Sequence, residues 1–236
     1  MIRRPPRSTQ SRSSAASDVY KRQLMNCTYQ IVSFWRTGST LLNYHLAAYN
    51  KTKRSLEVFN ERLNGGIPIA TSFNTLLLNK SNNIHISAKI MPAHVIELGF
   101  ERELFQYLDG YPILTIDRDP FDTFLSWYYQ DVTSWEVPHL WPWTVKPSCD
   151  IPYRKPIDLD RAHDFIKKWN VHKAFLNRLI NRSNDVTVFN YCDTTNEKLS
   201  AFFGTDFIAD TVPMDINYRN MFSNFEEARE IFYERT

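Results

Sequence analysis

The stretch of sequence that decides the fold is YQIVSFWRTGSTLL, residues 29–42. Residues 29–35 are rich in aromatic and β-branched side chains, which predicts a short buried strand. Residues 39–50 carry apolar side chains at helical spacing, which predicts a helix. Gly38 lies at the junction, where a residue without a Cβ lets the backbone turn sharply. The stretch therefore predicts a strand, a tight turn and a helix in direct succession.

Short apolar runs and helical patterns keep alternating after this unit. A chain in which strands alternate with helices favours an α/β fold with a parallel sheet. We therefore predict one α/β domain over residues 24–236, with a parallel β-sheet flanked by helices. The predicted strands are 85–90, 111–117 and 185–191, and the predicted helices are 69–79, 121–130, 160–181 and a last one that begins near Asn224.

Residues 131–158 interrupt this alternation with five prolines and three tryptophans. We interpret them as a long irregular insertion loop, and loops of this length inside a domain are usually functional or mobile. Indole rings stack on the apolar faces of sugars, so the tryptophans suit a carbohydrate acceptor. They equally suit the core of a small subdomain or the contact of a homodimer, because aromatic residues are enriched at interfaces. The three are Trp135, Trp141 and Trp143.

The N-terminal residues differ from the rest in charge. Residues 1–23 contain six basic residues and one acidic residue, whereas residues 24–236 contain 22 basic and 25 acidic residues. A basic arm for nucleic acid or membrane and a transit peptide are two interpretations. We favour a third, a non-native or disordered tail, because RRPPRSTQSRSSAASDVYKRQ resembles a translated sequencing-adapter peptide. We therefore expect a natural start near Leu24 or Met25 and no nucleic-acid partner.

The overall composition is that of a protein with a real core. Hydrophobic residues make up 43% of the chain and charged residues 23%, which argues against a disordered chain. No stretch approaches the ~18 unbroken apolar residues of a membrane span. Cys27, Cys149 and Cys192 are too scattered for a disulfide framework and lack the spacing of a metal site. We therefore expect a reducing compartment, the cytoplasm.

The turn at Gly38 has the character of an anion-binding loop. The first amides of a helix that follows such a turn point at one spot and bind an anion. Compared with the nucleoside-triphosphatase loop G-x-x-x-x-G-K-[ST], the window 33–40 has Ser33 in place of the first glycine and Ser39 in place of the lysine. The nearest cation is Arg36, on the other side of the glycine. The alternative is an ordinary turn that caps a helix.

A second anion site is predicted at the end of the third strand. Arg118 follows that strand, and α/β sheets bind ligands beyond the carboxyl ends of their strands. A guanidinium suits bidentate recognition of phosphate. Ser126 lies about two helical turns further on, in a helix that Asp119 caps. The alternative is a surface ion pair between Arg118 and Asp122, with Ser126 packed against the sheet.

Together the two elements resemble the sulfotransferase family that uses 3′-phosphoadenosine 5′-phosphosulfate (PAPS). RTGSTLL, residues 36–42, is similar to the family's 5′-phosphosulfate loop, and RDPFDTFLSWYY, residues 118–129, is similar to its 3′-phosphate signature. EVFN at 57–60 and AKIMPAH at 88–94 resemble the bacterial carbohydrate branch, which includes the trehalose 2-sulfotransferases. The resemblance covers about residues 29–191.

The resemblance implies a single P-loop-like α/β domain. It also implies a sulfuryl transfer from PAPS, without a metal, to a hydroxyl acceptor that is a small molecule or glycan, in the closest branch a carbohydrate. Two features depart from the family pattern. Arg36 stands where many members have lysine, and the late R-K-G motif is absent, with Tyr218 and Arg219 as a substitute at most. By position, the amides of Thr37, Gly38, Ser39, Thr40 and Leu41 with Arg36 would hold the phosphosulfate, Arg118 and Ser126 the 3′-phosphate, and Tyr191 the adenine.

The catalytic base has three candidates. Glu57 matches the family's glutamate and is our first choice, and Glu61 lies one helical turn further on. A pair of carboxylates can split its pKa values so that one serves as base. His94 is the third candidate, since histidine is the commonest base. Solvated surface glutamates and a structural histidine are the alternatives.

Two other functions remain open from the sequence. A P-loop kinase-like enzyme would use the same turn, but Ser39 stands where such an enzyme needs a lysine. A catalytically degenerate nucleotide-binding module would keep the turn and Arg118 without turnover. PAP, the bisphosphate product of sulfuryl transfer, should bind without Mg²⁺ to a sulfotransferase and to such a module, whereas a kinase should prefer ATP with Mg²⁺.

Overall fold

The computed structural model describes residues 28–51, 67–136, 155–182, 185–209 and 218–233. Within them, a four-stranded sheet has every strand parallel to its neighbours. The strands are β1 (Gln30–Val32), β2 (Lys89–Ile90), β3 (Ile113–Asp117) and β4 (Val186–Asn190), and their order in the sheet is β2-β1-β3-β4.

Helices connect the strands and flank the sheet. They confirm the predicted fold class, an α/β domain with a parallel sheet between helices. Two 3₁₀ turns, Tyr191–Asp193 and Tyr218–Asn220, complete the described elements. The helices are α1 (Ser39–Tyr49), α2 (Ile69–Ser81), α3 (Pro92–Glu97), α4 (Glu101–Leu108), α5 (Pro120–Glu136), α6 (Leu159–Arg182), α7 (Asn196–Phe203) and α8 (Phe225–Tyr233).

Apolar side chains cover both faces of the sheet, as a buried parallel sheet requires. Because side chains alternate along a strand, Ile31 and Leu114 pack with α1 and α7, whereas Val32 and Ile113 pack on the other side with α2, α4 and α6. Phe34 extends that second side into an aromatic core shared by α5, α6 and α8. The result is a sheet enclosed between two layers of helices.

The strand order creates a crevice at one edge of the sheet. The chain runs from β1 to β2 on one side and then crosses to β3 on the other side of β1. The helices that follow β1 and β3 therefore leave on opposite faces, since α1 lies with one core and α5 with the other. Ligands of open α/β sheets bind at such a switch point. The turns after β1 and β3 border this crevice.

The second strand is shorter than predicted, Lys89–Ile90 instead of residues 85–90. The buried side chain of Gln30 explains the difference. Its amide donates to the Ile86 carbonyl at 2.8 Å and accepts from the Ala88 amide at 3.1 Å. A side chain thus takes hydrogen bonds that a neighbouring strand would have made, and the described backbone bond from β1 to residues 86–88 is that of the Ile31 amide to the Ala88 carbonyl at 2.9 Å.

Helix α5 runs to Glu136, six residues beyond the predicted end at 130. Residues 131–136 of the predicted insertion therefore continue the helix. Trp141 and Trp143 lie outside the described residues, so the proposed sugar-stacking and dimer roles of this loop stay predictions. Asn224 precedes α8 as predicted, but its side chain binds both backbone groups of Ile157, at 2.6 and 3.0 Å, instead of capping the helix.

Candidate functional site

The turn after β1 adopts the sharp conformation expected of an anion loop. Arg36 and Gly38 have φ angles of 55° and 84°, both in the left-handed region. Thr37 is fully buried, and its hydroxyl donates to the carbonyl of Phe34 at 3.0 Å. This bond holds the turn from inside, so Thr37 can offer an anion only its amide.

Helix α1 begins directly at this turn. Gly38 occupies the cap position without a side chain, and the first turn carries no acidic residue, so the positive end of the helix dipole faces the crevice. Ser39 is buried and Thr40 is half-buried. The Leu41 amide donates to the Gly38 carbonyl at 3.0 Å. The Leu41 amide is therefore engaged within the turn in this conformation. Of the amides predicted to bind an anion, those of residues 37–40 remain.

Arg118 reaches from the end of β3 to the turn after β1. Its Nη1 donates to the carbonyl of Arg36 at 2.5 Å, and its guanidinium carbon lies 3.9 Å from the centre of the Tyr191 ring. A Cβ at Gly38 would lie only 3.1 Å from the same ring. The buried Nε of Arg118 has no hydrogen-bond partner among the described residues. The two predicted anion sites therefore meet around one spot.

Ser126 links helix α5 to this spot. It is 7% exposed, and its hydroxyl accepts from Nε of Arg36 at 3.2 Å. Asp119 caps the start of α5 as predicted, since its Oδ1 accepts from the Asp122 amide at 2.9 Å. Burial and the neighbouring Asp119 raise the pKa of Asp122, while the positive charge of Arg118 opposes the shift. The charge of Arg118 thus acts to lower the pKa of Asp122 without a described hydrogen bond between the two side chains. The hydrogen bond that the structure describes for Arg118 is to the carbonyl of Arg36.

Tyr218 joins the site from a 3₁₀ turn late in the chain. Burial raises the pKa of its phenol, and a hydrogen bond with Ser126 and the charges of Arg118 and Arg36 oppose that rise. The sequence offered Tyr218 only as a substitute for a missing motif, because nothing local indicates where the turn packs. We call Arg36, Arg118, Ser126, Tyr191 and Tyr218 the arginine cluster.

Of the three predicted base candidates, the structure describes His94. Glu57 and Glu61 fall outside the described residues, so their role stays a prediction. His94 lies on α3, just after β2, and its ring centre is 5.2 Å from that of Trp35. Trp35 is the residue before Arg36. His94 therefore lies next to the residue that precedes Arg36 in the chain.

Comparison with protein-family models and with curated proteins finds no match for this chain. Within the described residues, no group of three or more His, Cys, Asp and Glu side chains could hold a metal ion. In the same ranges no helix is both long and apolar enough to cross a membrane.

Proposed function

We propose that this chain is a sulfotransferase that moves a sulfuryl group from PAPS to the hydroxyl group of a carbohydrate acceptor. The observation that carries the proposal is the contact between the turn of Arg36 and the side chain of Arg118, which brings the two predicted oxyanion sites together. Two sites of this kind suit a donor with phosphate at both ends of a nucleoside.

The donor fits the residues present. Arg118, Ser126 and Tyr218 would hold the 3′-phosphate, and the unsatisfied Nε of Arg118 supplies a donor for it. The amides of residues 37–40, the hydroxyls of Ser39 and Thr40 and the Arg36 guanidinium would hold the 5′-phosphosulfate. Tyr191 lies against the Arg118 guanidinium, and its ring would hold the adenine.

The residues of the turn supply electrostatic stabilisation. When bound, PAPS supplies the sulfuryl group and a bisphosphate leaving group. Arg36 and the amides at the start of α1 are fixed by the fold before any reaction, so they stabilise negative charge without reorganising. One such donor typically lowers a barrier by ~3 kcal/mol. The transfer resembles in-line phosphoryl transfer, in which positioning and charge dominate.

The first test compares ligands on the wild-type chain. A ligand that binds only the folded state raises the melting temperature. We expect PAP to raise it without Mg²⁺ and ATP with Mg²⁺ to leave it unchanged, as measured by thermal shift. The opposite pattern would favour a kinase-like enzyme. PAP binding without any turnover on a panel of glycans, tyrosyl peptides and lipids would favour a degenerate binding module.

The second test addresses the 3′-phosphate site. Arg118→Ala removes a charged donor, and such bonds contribute about 1.5–3 kcal/mol, so PAP affinity should fall roughly 10- to 100-fold. Adenosine 5′-phosphosulfate, which lacks the 3′-phosphate, should lose much less. Arg178→Ala is the matched control, because Arg178 pairs with Glu101 on α4 and should leave both affinities unchanged. Equal losses for both ligands in Arg118→Ala would contradict the assignment.

A further inference from the structure

Strand β4 forms one edge of the four-stranded sheet, and it lacks the features with which natural proteins protect such an edge. Edge strands are usually very short, charged, interrupted by proline or bulged, because their unpaired backbone groups otherwise bind further strands. The sequence of β4, VTVFN, contains no charged residue and no proline. The opposite edge is protected, since β2 has only two residues and one of them is Lys89. The two edges of the sheet are therefore not equivalent.

The backbone groups of β4 point alternately towards β3 and towards the open edge. The carbonyl of Asp185 accepts from the Ile113 amide at 2.8 Å, so residues 187 and 189 also direct their amides and carbonyls towards β3. Val186 and Val188 direct theirs away from the sheet. Among the described residues, no hydrogen bond uses these outward groups. The edge therefore presents donors and acceptors at the spacing that a further strand requires.

Exposed apolar side chains lie beside this edge on both faces of the sheet. Val188 is 50% exposed and shares the face on which Val186 packs against the core that includes α6. On the other face, Phe202 of α7 is 41% exposed, and its ring centre lies 5.1 Å from that of Phe189. A strand added at this edge would cover both Val188 and Phe202, and burial of their apolar surface would stabilise the contact.

We infer that β4 pairs with β4 of a second copy of this chain, antiparallel and about a twofold axis at Val188, so that the two sheets become continuous. A contact of this kind uses the same surface on both subunits. Val188 lies opposite Val188 of the partner subunit, and Val186 lies opposite Asn190 of the partner subunit. The outward amides and carbonyls of these residues bond in pairs. Thr187 lies opposite Phe189 of the partner subunit, on the face of Phe202.

The composition of β4 favours a second copy as the occupant. In a twofold pairing the central residue faces its own copy, and like charges directly opposite each other destabilise a pair of strands. Here the central residue is Val188, and no other residue of β4 is charged. The pairing therefore opposes only valine, threonine, phenylalanine and asparagine side chains. The outward groups recur at every second residue, so the donors of one copy meet the acceptors of the other when the strands run in opposite directions.

Self-association can be measured independently of any enzyme activity. We expect sedimentation velocity at about 5 to about 300 μM protein to show an equilibrium between monomer and dimer. The equilibrium should be visible in this range because one pair of strands gives an interface at the low end of the usual size. A chain that stays monomeric over the whole range would overturn the inference.

Substitutions at Val188 test the strand edge itself. Val188→Pro removes an amide that faces the open edge and keeps the bonds to β3, since proline is tolerated on edge strands. Each dimer then loses two hydrogen bonds, so its dissociation constant should rise at least ~10-fold. Val188→Lys should have a similar effect because it places two ammonium groups opposite each other. Val188→Thr keeps a β-branched side chain and should change the constant less than ~3-fold.

Leu78→Lys is the matched control for Val188→Lys. Leu78 is 61% exposed on α2, so a lysine there should leave the dissociation constant unchanged. Urea unfolding shows whether each variant is still folded, and the two variants of Val188 act by different means, so one folded variant is enough for the test. A wild-type dissociation constant in both Val188→Pro and Val188→Lys would contradict the inference.

A chemical crosslink tests the register. In a hydrogen-bonded antiparallel pair the two Cα atoms lie about 5.5 Å apart, so a short bismaleimide should join Val188→Cys to its copy. Leu78→Cys should stay uncrosslinked, and both are made in a chain with the three native cysteines replaced by serine. If the protein is dimeric and Val188→Cys is not crosslinked, the dimer forms through another surface and the pairing of β4 is wrong.

Discussion

Gly38 is the residue on which the geometry of the site depends most directly. Its φ of 84° is one that side chains rarely adopt, and a Cβ there would lie 3.1 Å from the Tyr191 ring. The Tyr191 ring in turn lies against the guanidinium of Arg118. A methyl group at Gly38 would therefore displace the ring that positions the arginine. Gly99 offers a natural comparison, because its φ is 81° but nothing lies within 4 Å of a Cβ.

We predict that Gly38→Ala and Gly99→Ala differ in ligand binding but not in backbone strain. Both should lose about 1–2 kcal/mol of unfolding free energy, the usual cost of a left-handed alanine. Only Gly38→Ala should also weaken PAP. Urea unfolding measures the first quantity and calorimetric titration the second. An unchanged PAP affinity in Gly38→Ala would show that the ring contact does not position Arg118.

Among the elements, α4 is held at its C-terminal end by a lysine from another helix. Lys80 of α2 donates to the carbonyls of Gln106, Tyr107 and Asp109 at 2.9, 2.6 and 2.6 Å. Burial lowers the pKa of Lys80, and Asp109 opposes the shift. The last carbonyls of a helix have no partner within it, so the ammonium satisfies several at once. This contact joins α2 to α4 over the core beneath β2.

We predict that Lys80→Met costs about 1–2 kcal/mol of unfolding free energy, because it removes charged hydrogen bonds from a half-buried site. Lys167→Met should cost no more than about 0.5 kcal/mol, since Lys167 pairs with Asp164 at 3.2 Å and both side chains are exposed. Urea denaturation measures both variants. A Lys80→Met variant as stable as Lys167→Met would mean that water replaces the ammonium at these carbonyls without loss.

At the scale of the whole molecule, helix α6 connects two hydrophobic cores. Its apolar residues reach both the core around Phe175 and the aromatic core around Phe165. His172 lies on the same helix, 1% exposed, with its ring 5.1 Å from that of Phe34. Burial, helped by the charge of Lys173, lowers the pKa of His172 to about 3. An imidazole that stays neutral in the core links the stability of the fold to pH.

We predict that His172 makes the protein less stable in acid. Below about pH 6.5 the unfolded chain binds a proton at this histidine, and the folded protein does so only near pH 3. Unfolding free energy should therefore fall between these values by up to about 1.4 kcal/mol per pH unit. His172→Phe should flatten that dependence in urea unfolding at pH 7.5 and 5, whereas Trp169→Phe should keep the wild-type slope. Equal slopes in all three proteins would contradict the assignment.

The sequence predicted those parts of the fold that depend on neighbouring residues. The sequence predicted β1, the turn at Gly38, the start of α1 and the cap at Asp119, because periodicity and turn chemistry act within a few residues. The short helices α3, α4 and α7 were not predicted, since patterns of one or two turns are ambiguous. Strand β2 was predicted too long because its pairing depends on the distant side chain of Gln30.

What the sequence by itself determined is the pair of local motifs: a strand, turn and helix around Gly38, and an arginine at a strand end followed by Ser126. What only the tertiary structure decided is that the two motifs meet, that Tyr218 joins them and that Trp35, Trp127 and His94 lie beside them. Arg36 and Ser126 are 90 residues apart, and no local pattern encodes such a contact. Parallel pairing of β1 with β3 creates it, because parallel strands bring their carboxyl ends, and the turns that follow, to the same edge of the sheet.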